Sequence, residues 1–185
     1  GSIPCYRRID QSADFDFLLE PDDRSAASEF SFVQITDIHM SVDDSRSNDR
    51  QLGEDLKTVY EDVGDRASFV VATGDLTNKG TKEEFDAFLR GISESPLPVY
   101  PCIGNHDDNH ADGDHYANTL GPTYYSFDYG HVHFLVYDGV GHEWREPDHQ
   151  GAWVQADLEA VPSGTPVVVL IHFPWGDRFY EQFRS

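Results

Sequence analysis

Lysine is nearly absent from this chain of 185 residues: only Lys57, Lys79 and Lys82 stand against 34 acidic side chains, 23 of them Asp. The formal net charge is −21. A surface this acidic repels polyanions, which argues against a broad grip on nucleic acid or on anionic membranes. Two origins of the excess stay open. One is adaptation to a salty milieu, where screening relieves self-repulsion; the other is compositional bias together with metal-binding loops. A melting temperature that does not rise between low and molar salt excludes the first. Long hydrophobic runs are also lacking: the longest, Val167 to Ile171, is far short of the roughly 20 residues a membrane helix needs. No basic-then-apolar leader opens the sequence, and the leading Gly1-Ser2 is set aside. Cysteine is scarce too. Cys102 lies in an apolar stretch and reads as a buried thiol, Cys5 lies in an irregular one, and no disulfide between them is expected. There is no Gly-rich phosphate loop, which tells against an unrelated nucleotide-binding α/β domain. What remains, 38% hydrophobic and 13% aromatic residues, is a globular composition of one-domain size.

Residues 1–29 show mixed charge and no sustained periodicity, and read as a linker or arm; the domain is expected over 30–185. F-S-F-V-Q-I-T (30–36) is a buried-strand pattern. Leu52, Leu56, Val59 and Val63 recur at helical spacing and predict a helix over 49–63. A-S-F-V-V-A-T-G (67–74) is a second strand. Thr81 with Glu84 is a capping-box signature, opening a helix with Phe85, Phe88, Leu89 and Ile92 on one face. P-V-Y-P-C-I-G (98–104) predicts a third strand. After a polar His- and Asp-rich loop, residues 123–138 read as two strands turning near Tyr129 and Gly130. A second polar loop leads to a short helix around Trp153, Ala156, Asp157 and Ala160, and P-V-V-V-L-I-H (166–172) closes as the last strand. Strands alternating with helices predict a layered α/β fold.

The polar residues fall at strand ends. Asp37 and His39, then Asp75, then Asn105 and His106, then His172 each follow an apolar strand. Loops at the carboxyl ends of strands are where α/β sheets present ligand sites. Asp and Asn oxygens with His nitrogens suit zinc, manganese or iron, and Gly74 and Gly104 allow the tight turns that aim the next side chain inward. One other pair also looks like metal ligands, in Y-G-H-V-H-F-L-V (129–136). There Val132, Phe134 and Val136 alternate with His133, Leu135 and Tyr137, the period of a strand, so His131 and His133 read as strand residues. His110, His115, His142 and His149 lie in polar stretches and read as solvated.

The series D-I-H, G-D-L-T-N, G-N-H-D and I-H-F-P resembles the calcineurin-like metallophosphoesterases over roughly residues 30–175. G-P-T-Y-Y-S-F-D-Y-G followed by an apolar strand resembles the family's subgroup of bacterial phosphodiesterases and phosphatases. The segment Y-R-R-I-D…F-D-F-L-L-E-P resembles what precedes the catalytic domain in members with an extra N-terminal β-domain, and inclines the expected setting towards secreted or periplasmic.

The resemblance implies a four-layer α/β/β/α sandwich with mixed sheets, incomplete at its C-terminus, and a pair of divalent or trivalent ions (Mn, Fe or Zn) about 4 Å apart. It implies that Asp37 and His39 bind the first ion, that Asp75 bridges both, and that Asn105 and His172 bind the second. His106 is then the residue that touches the phosphate and helps protonate the leaving oxygen, with Asp107 accepting its other N–H. The implied activity is hydrolysis of small-molecule phosphate mono- or diesters by a hydroxide bridging the ions. The sequence departs from the family at one place: no G-H-x-H motif follows His172, so two of the implied ligands have no match. Two consequences follow as expectations. The chain could instead be a catalytically incomplete metal-binding or interaction module with this fold, and exposed sheet edges could drive self-association.

Overall fold

The computed structural model describes residues 29–43, 48–108, 114–140 and 147–172, with only the backbone for Asp65 and residues 147–149. The arm expected over 1–29 therefore lies outside the described residues apart from Glu29, as do His110 and His142. In chain order the elements are β1 (Ser31–Ile35), α1 (Asp49–Val63), β2 (Ala67–Thr73), α2 (Lys82–Ser93), β3 (Val99–Cys102), α3 (His115–Leu120), β4 (Tyr125–Tyr129), β5 (Val132–Val136), α4 (Pro147–Ala160) and β6 (Val167–Leu170). The helix boundaries have local causes. The Asn48 side chain accepts the Gln51 N–H at 3.0 Å and caps α1. Thr81 and Glu84 form the reciprocal capping box on α2.

The strands make two sheets. The first has order β1-β2-β3 and is parallel throughout, as its helical crossovers require. The second has order β4-β5-β6: β4 and β5 form an antiparallel hairpin, and β6 joins β5 in parallel.

Alternation along the strands builds the layers. Phe69 and Val71 of β2 enter a shared core with Phe127, Tyr129, Phe134, Val136 and Leu170 of the second sheet. Val70 and Ala72 face the other way, towards Leu52 and Leu56 of α1 and Phe85 and Phe88 of α2. On β5, Phe134 and Val136 take the central core, while Leu135 is buried with Tyr137 against Val154 of α4. The result is helices, sheet, sheet, helix, the four-layer sandwich that the family resemblance implies. The central layer is held by aromatic contacts: Phe127 stacks on Phe134 at 4.9 Å, and Phe69 meets Phe134 edge-on at 5.4 Å.

The same alternation decides the fate of His133. It shares the α4-facing side of β5 with Leu135 and is buried. Its Nδ1 lies 2.8 Å from Asp128 Oδ1 on the paired strand, and its Nε2 lies 2.8 Å from Asp157 Oδ2 on α4. Asp157 also accepts the Ser126 hydroxyl at 2.7 Å. Burial pulls the imidazole pKa down, but the two carboxylates outweigh it and hold the ring above its ordinary 6.5. A pKa raised by folding contributes stability that is complete below the unfolded value and is lost as pH rises through the folded one. The thermal midpoint is therefore expected to fall as pH climbs above about 6.5, and His133→Gln is expected to flatten that difference. Parallel pH curves for the two proteins would show the cluster to be electrostatically silent. His131 follows Gly130 in the turn and meets Phe30 edge-on at 6.3 Å.

Candidate metal centre

The ladder between β1 and β2 continues beyond the strands, and this is what gathers the ligands. Asp37 N–H donates to the Gly74 carbonyl at 3.1 Å, His39 N–H to the Asp75 carbonyl at 2.9 Å, and Met40 N–H to the Leu76 carbonyl at 2.9 Å. D-I-H and G-D-L-T-N are thus zipped side by side. The third loop closes on them: the His106 N–H donates to Asp75 Oδ1 at 3.0 Å.

Asp37, His39 and Asp75 adopt φ of 54°, 48° and 49°, and they are the positive-φ residues other than glycine among the described residues. Such backbone is rare for side chains with a Cβ and is held only where surroundings over-determine it, commonly at working sites. All three are expected ligands.

Five side chains converge. Asp75, buried, is the hub: its Oδ1 lies 3.4 Å from His172 Nε2, and its Oδ2 lies 3.7 Å from His39 Nε2 and 4.0 Å from His106 Nε2. His39 Nε2 is also 3.9 Å from Asp37 Oδ1. The donor atoms fall into two groups that share Asp75: Asp37 with His172, and His39 with His106. These separations exceed hydrogen bonds. Two ligands on one ion, each bonded at about 2.1 Å across a tetrahedral angle, lie roughly 3.4 Å apart, so a small contraction would seat a cation in either group.

The ring nitrogens agree with that use. His172 Nδ1 lies 2.8 Å from the Thr73 carbonyl, and His106 Nδ1 lies 2.8 Å from the Asn78 carbonyl. A carbonyl can only accept, so each Nδ1 carries the proton, and in the neutral ring Nε2 keeps its lone pair towards Asp75.

Three placements bear on the roles implied by the sequence. Asp37 and His39, assigned there to one ion, fall in different groups here, and His106, assigned to substrate, stands close enough to Asp75 to belong to a group. Asn105 is exposed beside His106. Asp107 is a correction: it does not orient His106, whose Nδ1 is taken by Asn78. Neighbouring residues in a tight turn point apart, and the Asp107 carboxylate turns inward to the amides of Gly104, Leu76 and Thr77. Burial pushes its pKa up to about 6 against the pull of those hydrogen bonds.

A family model described as calcineurin-like phosphoesterase matches residues 30–185. The chain belongs to that family. No curated protein matches it. Among solved structures it is similar to the purple acid phosphatase PPD1 from yellow lupin (Lupinus luteus) seeds, with a TM-score of 0.52 and 18% identity over 78% of this chain and 30% of that one. At that identity the likeness is one of fold. The chain spans well under half of that neighbour's length.

The sequence motifs alone assign no role to Thr77 or to the Asn78 and Thr73 carbonyls. Thr77 and Asn78 stand in the quoted G-D-L-T-N, so the signal was there. Which atoms they meet depends on contacts as distant as residue 107, and no local pattern encodes that.

Proposed function

We propose that this chain holds two metal ions bridged by Asp75 and hydrolyses small-molecule phosphate mono- or diesters. One observation carries the reading: the two oxygens of a single buried carboxylate face two separate donor groups, Oδ1 towards His172 and Oδ2 towards His39 and His106. The donor set of carboxylate oxygens and imidazoles fits Mn, Fe or Zn. Ions held there would supply Lewis acidity, lowering the pKa of water and neutralising phosphoryl charge. That supply matters in a protein of net charge −21, whose own field repels a phosphate ester.

The chain's own residues do the rest. His106 is held by its Nδ1–H on the Asn78 carbonyl, which keeps Nε2 facing the site. Left to the substrate rather than to an ion, with His39 and Asp75 holding the metal on that side, the ring in its protonated form has an N–H at Nε2 that can bind a phosphoryl oxygen and pass its proton to the leaving oxygen. Its side chain is 41% exposed, open to substrate from solvent.

The test is bound metal per chain together with hydrolysis of aryl phosphate mono- and diesters, before and after exhaustive EDTA treatment. Turnover with Mn²⁺ is expected, falling to background on chelation and returning when Mn²⁺ is restored. Unchanged turnover after chelation would refute a metal mechanism, and bound metal without turnover would support the non-catalytic metal-binding module instead.

A further inference from the structure

Asp75 sits at φ 49°, a left-handed conformation sparsely populated by residues with a Cβ, so its surroundings must hold it there. The holder is the buried carboxylate of Asp107. It accepts the Leu76 N–H at 3.1 Å, the Thr77 N–H at 2.8 Å and the Thr77 hydroxyl at 2.7 Å. From its own loop it accepts the Gly104 N–H at 2.9 Å. Thr77 is fully buried, and its oxygen also accepts the Gly80 N–H at 3.1 Å. The two residues that follow Asp75 and the glycine that precedes Asn105 therefore converge on one acceptor. The bond from His106 N–H to Asp75 Oδ1 closes the loop from the other side.

We propose that Thr77 and Asp107 act as a positioning pair, locking the Asp75 turn and the Gly104–His106 turn into one unit and so fixing where the Asp75 carboxylate points. Neither side chain is a metal ligand; both act through Asp75. The inference rests on the reading of Asp75 as a metal ligand. Thr77 is the sharper probe, because valine has nearly its shape and lacks only the hydroxyl. Removing that oxygen deprives Asp107 of one donor and leaves the buried Gly80 N–H without its acceptor, while the packing surface is kept. Loss of a partner that orients a ligand typically weakens metal binding by about 10–100-fold.

The experiment is a Mn²⁺ titration of the whole chain, reading free Mn²⁺ by EPR, with the melting temperature of the metal-free protein measured alongside. Four proteins are compared: wild type, Thr77→Val, Thr77→Ser and Val154→Ala. Val154 is buried against Leu135 and Tyr137 on the far side of the second sheet, so its truncation lowers stability without touching the loops. Thr77→Val is expected to bind Mn²⁺ at least about tenfold more weakly, Thr77→Ser to recover most of the affinity, and Val154→Ala to melt lower with affinity unchanged. Wild-type affinity in Thr77→Val, or an equal loss in Val154→Ala, overturns the positioning role and leaves the metal site standing. A wild-type chain that binds no Mn²⁺ overturns the metal reading itself, and the positioning role falls with it.

Discussion

Asp75→Asn is expected to strip the chain of both metal ions and reduce phosphoester hydrolysis to the metal-free background. Asp75 belongs to both donor groups, whereas Asp37, His39, His106 and His172 each belong to one. The amide keeps the shape of the carboxylate and one oxygen, but replaces the other with an NH₂ that cannot ligate and removes the charge from both. If the remaining oxygen keeps the His106 N–H, the side facing His39 loses its ligand and the side facing His172 is left a neutral carbonyl without the charge that held its ion; if the amide flips, the two sides exchange. The loss should exceed the 10–100-fold typical of changes to a ligand's supporting partners. Asp37→Asn makes the contrast. That side chain is 54% exposed and, unlike Asp75, is a member of the His172 group and not of the group with His106, so one ion should be lost and the other kept. Metal analysis of the purified variants, with melting temperatures to confirm folding, reads the difference. An Asp75→Asn protein that retains both ions would remove the bridging role.

How far this was visible in the sequence varies with the element. The helix predicted over 49–63 is α1, Asp49–Val63, because four apolar residues at strict spacing leave little freedom. The hairpin turning at Tyr129 and Gly130 is also observed, with Gly130 at φ 59°. α3, by contrast, falls in a stretch whose sequence reads as a polar loop. At six residues it offers only Tyr116 and Leu120 as a buried pair, too few to display a period. α4 starts at Pro147, well before its apolar residues. Its early turns are anchored by a polar group: Gln150 is buried and its amide exchanges two hydrogen bonds with the Asp138 backbone. No hydrophobic pattern announces such an anchor. At the site, Asp37, His39, Asp75, His106 and His172 were legible because chemistry-bearing residues rarely follow strand after strand by chance. Asp107 was legible as important and misread in its contact, since adjacency to His106 in sequence says nothing of direction in a turn. The carboxylate's partners are fixed by tertiary packing between loops, which the sequence brings together only through the sheet.

Gly104→Ala is expected to be more damaging than Gly74→Ala or Gly164→Ala. A Cβ built at Gly104 would lie 2.1 Å from the Asp75 backbone N and 2.3 Å from its Oδ1. Neither atom can retreat cheaply. The backbone is locked on both sides, by His39 N–H on the Asp75 carbonyl and by Asp107 on the amides that follow. The Oδ1 atom is the one that faces His172. Relief therefore requires prising apart the two loops that hold the ligands, and the stability loss is expected to exceed about 4 kcal/mol, in the range reserved for structural disruption. Gly164→Ala separates this clash from the ordinary cost of replacing a glycine. Gly164 has φ +91° and open space around its Cβ position, so only backbone strain of about 1–3 kcal/mol is expected there, with Mn²⁺ affinity unchanged. Gly74 lies between these extremes in mechanism: φ is +89°, and a Cβ would meet the His172 ring at 2.5 Å, so Gly74→Ala should combine strain with displacement of one ligand. Thermal melts and Mn²⁺ titrations of the three variants rank them. If Gly104→Ala melts and binds metal as Gly164→Ala does, the loops are looser than their hydrogen bonds imply, and the close approach of Gly104 to Asp75 does not govern the site.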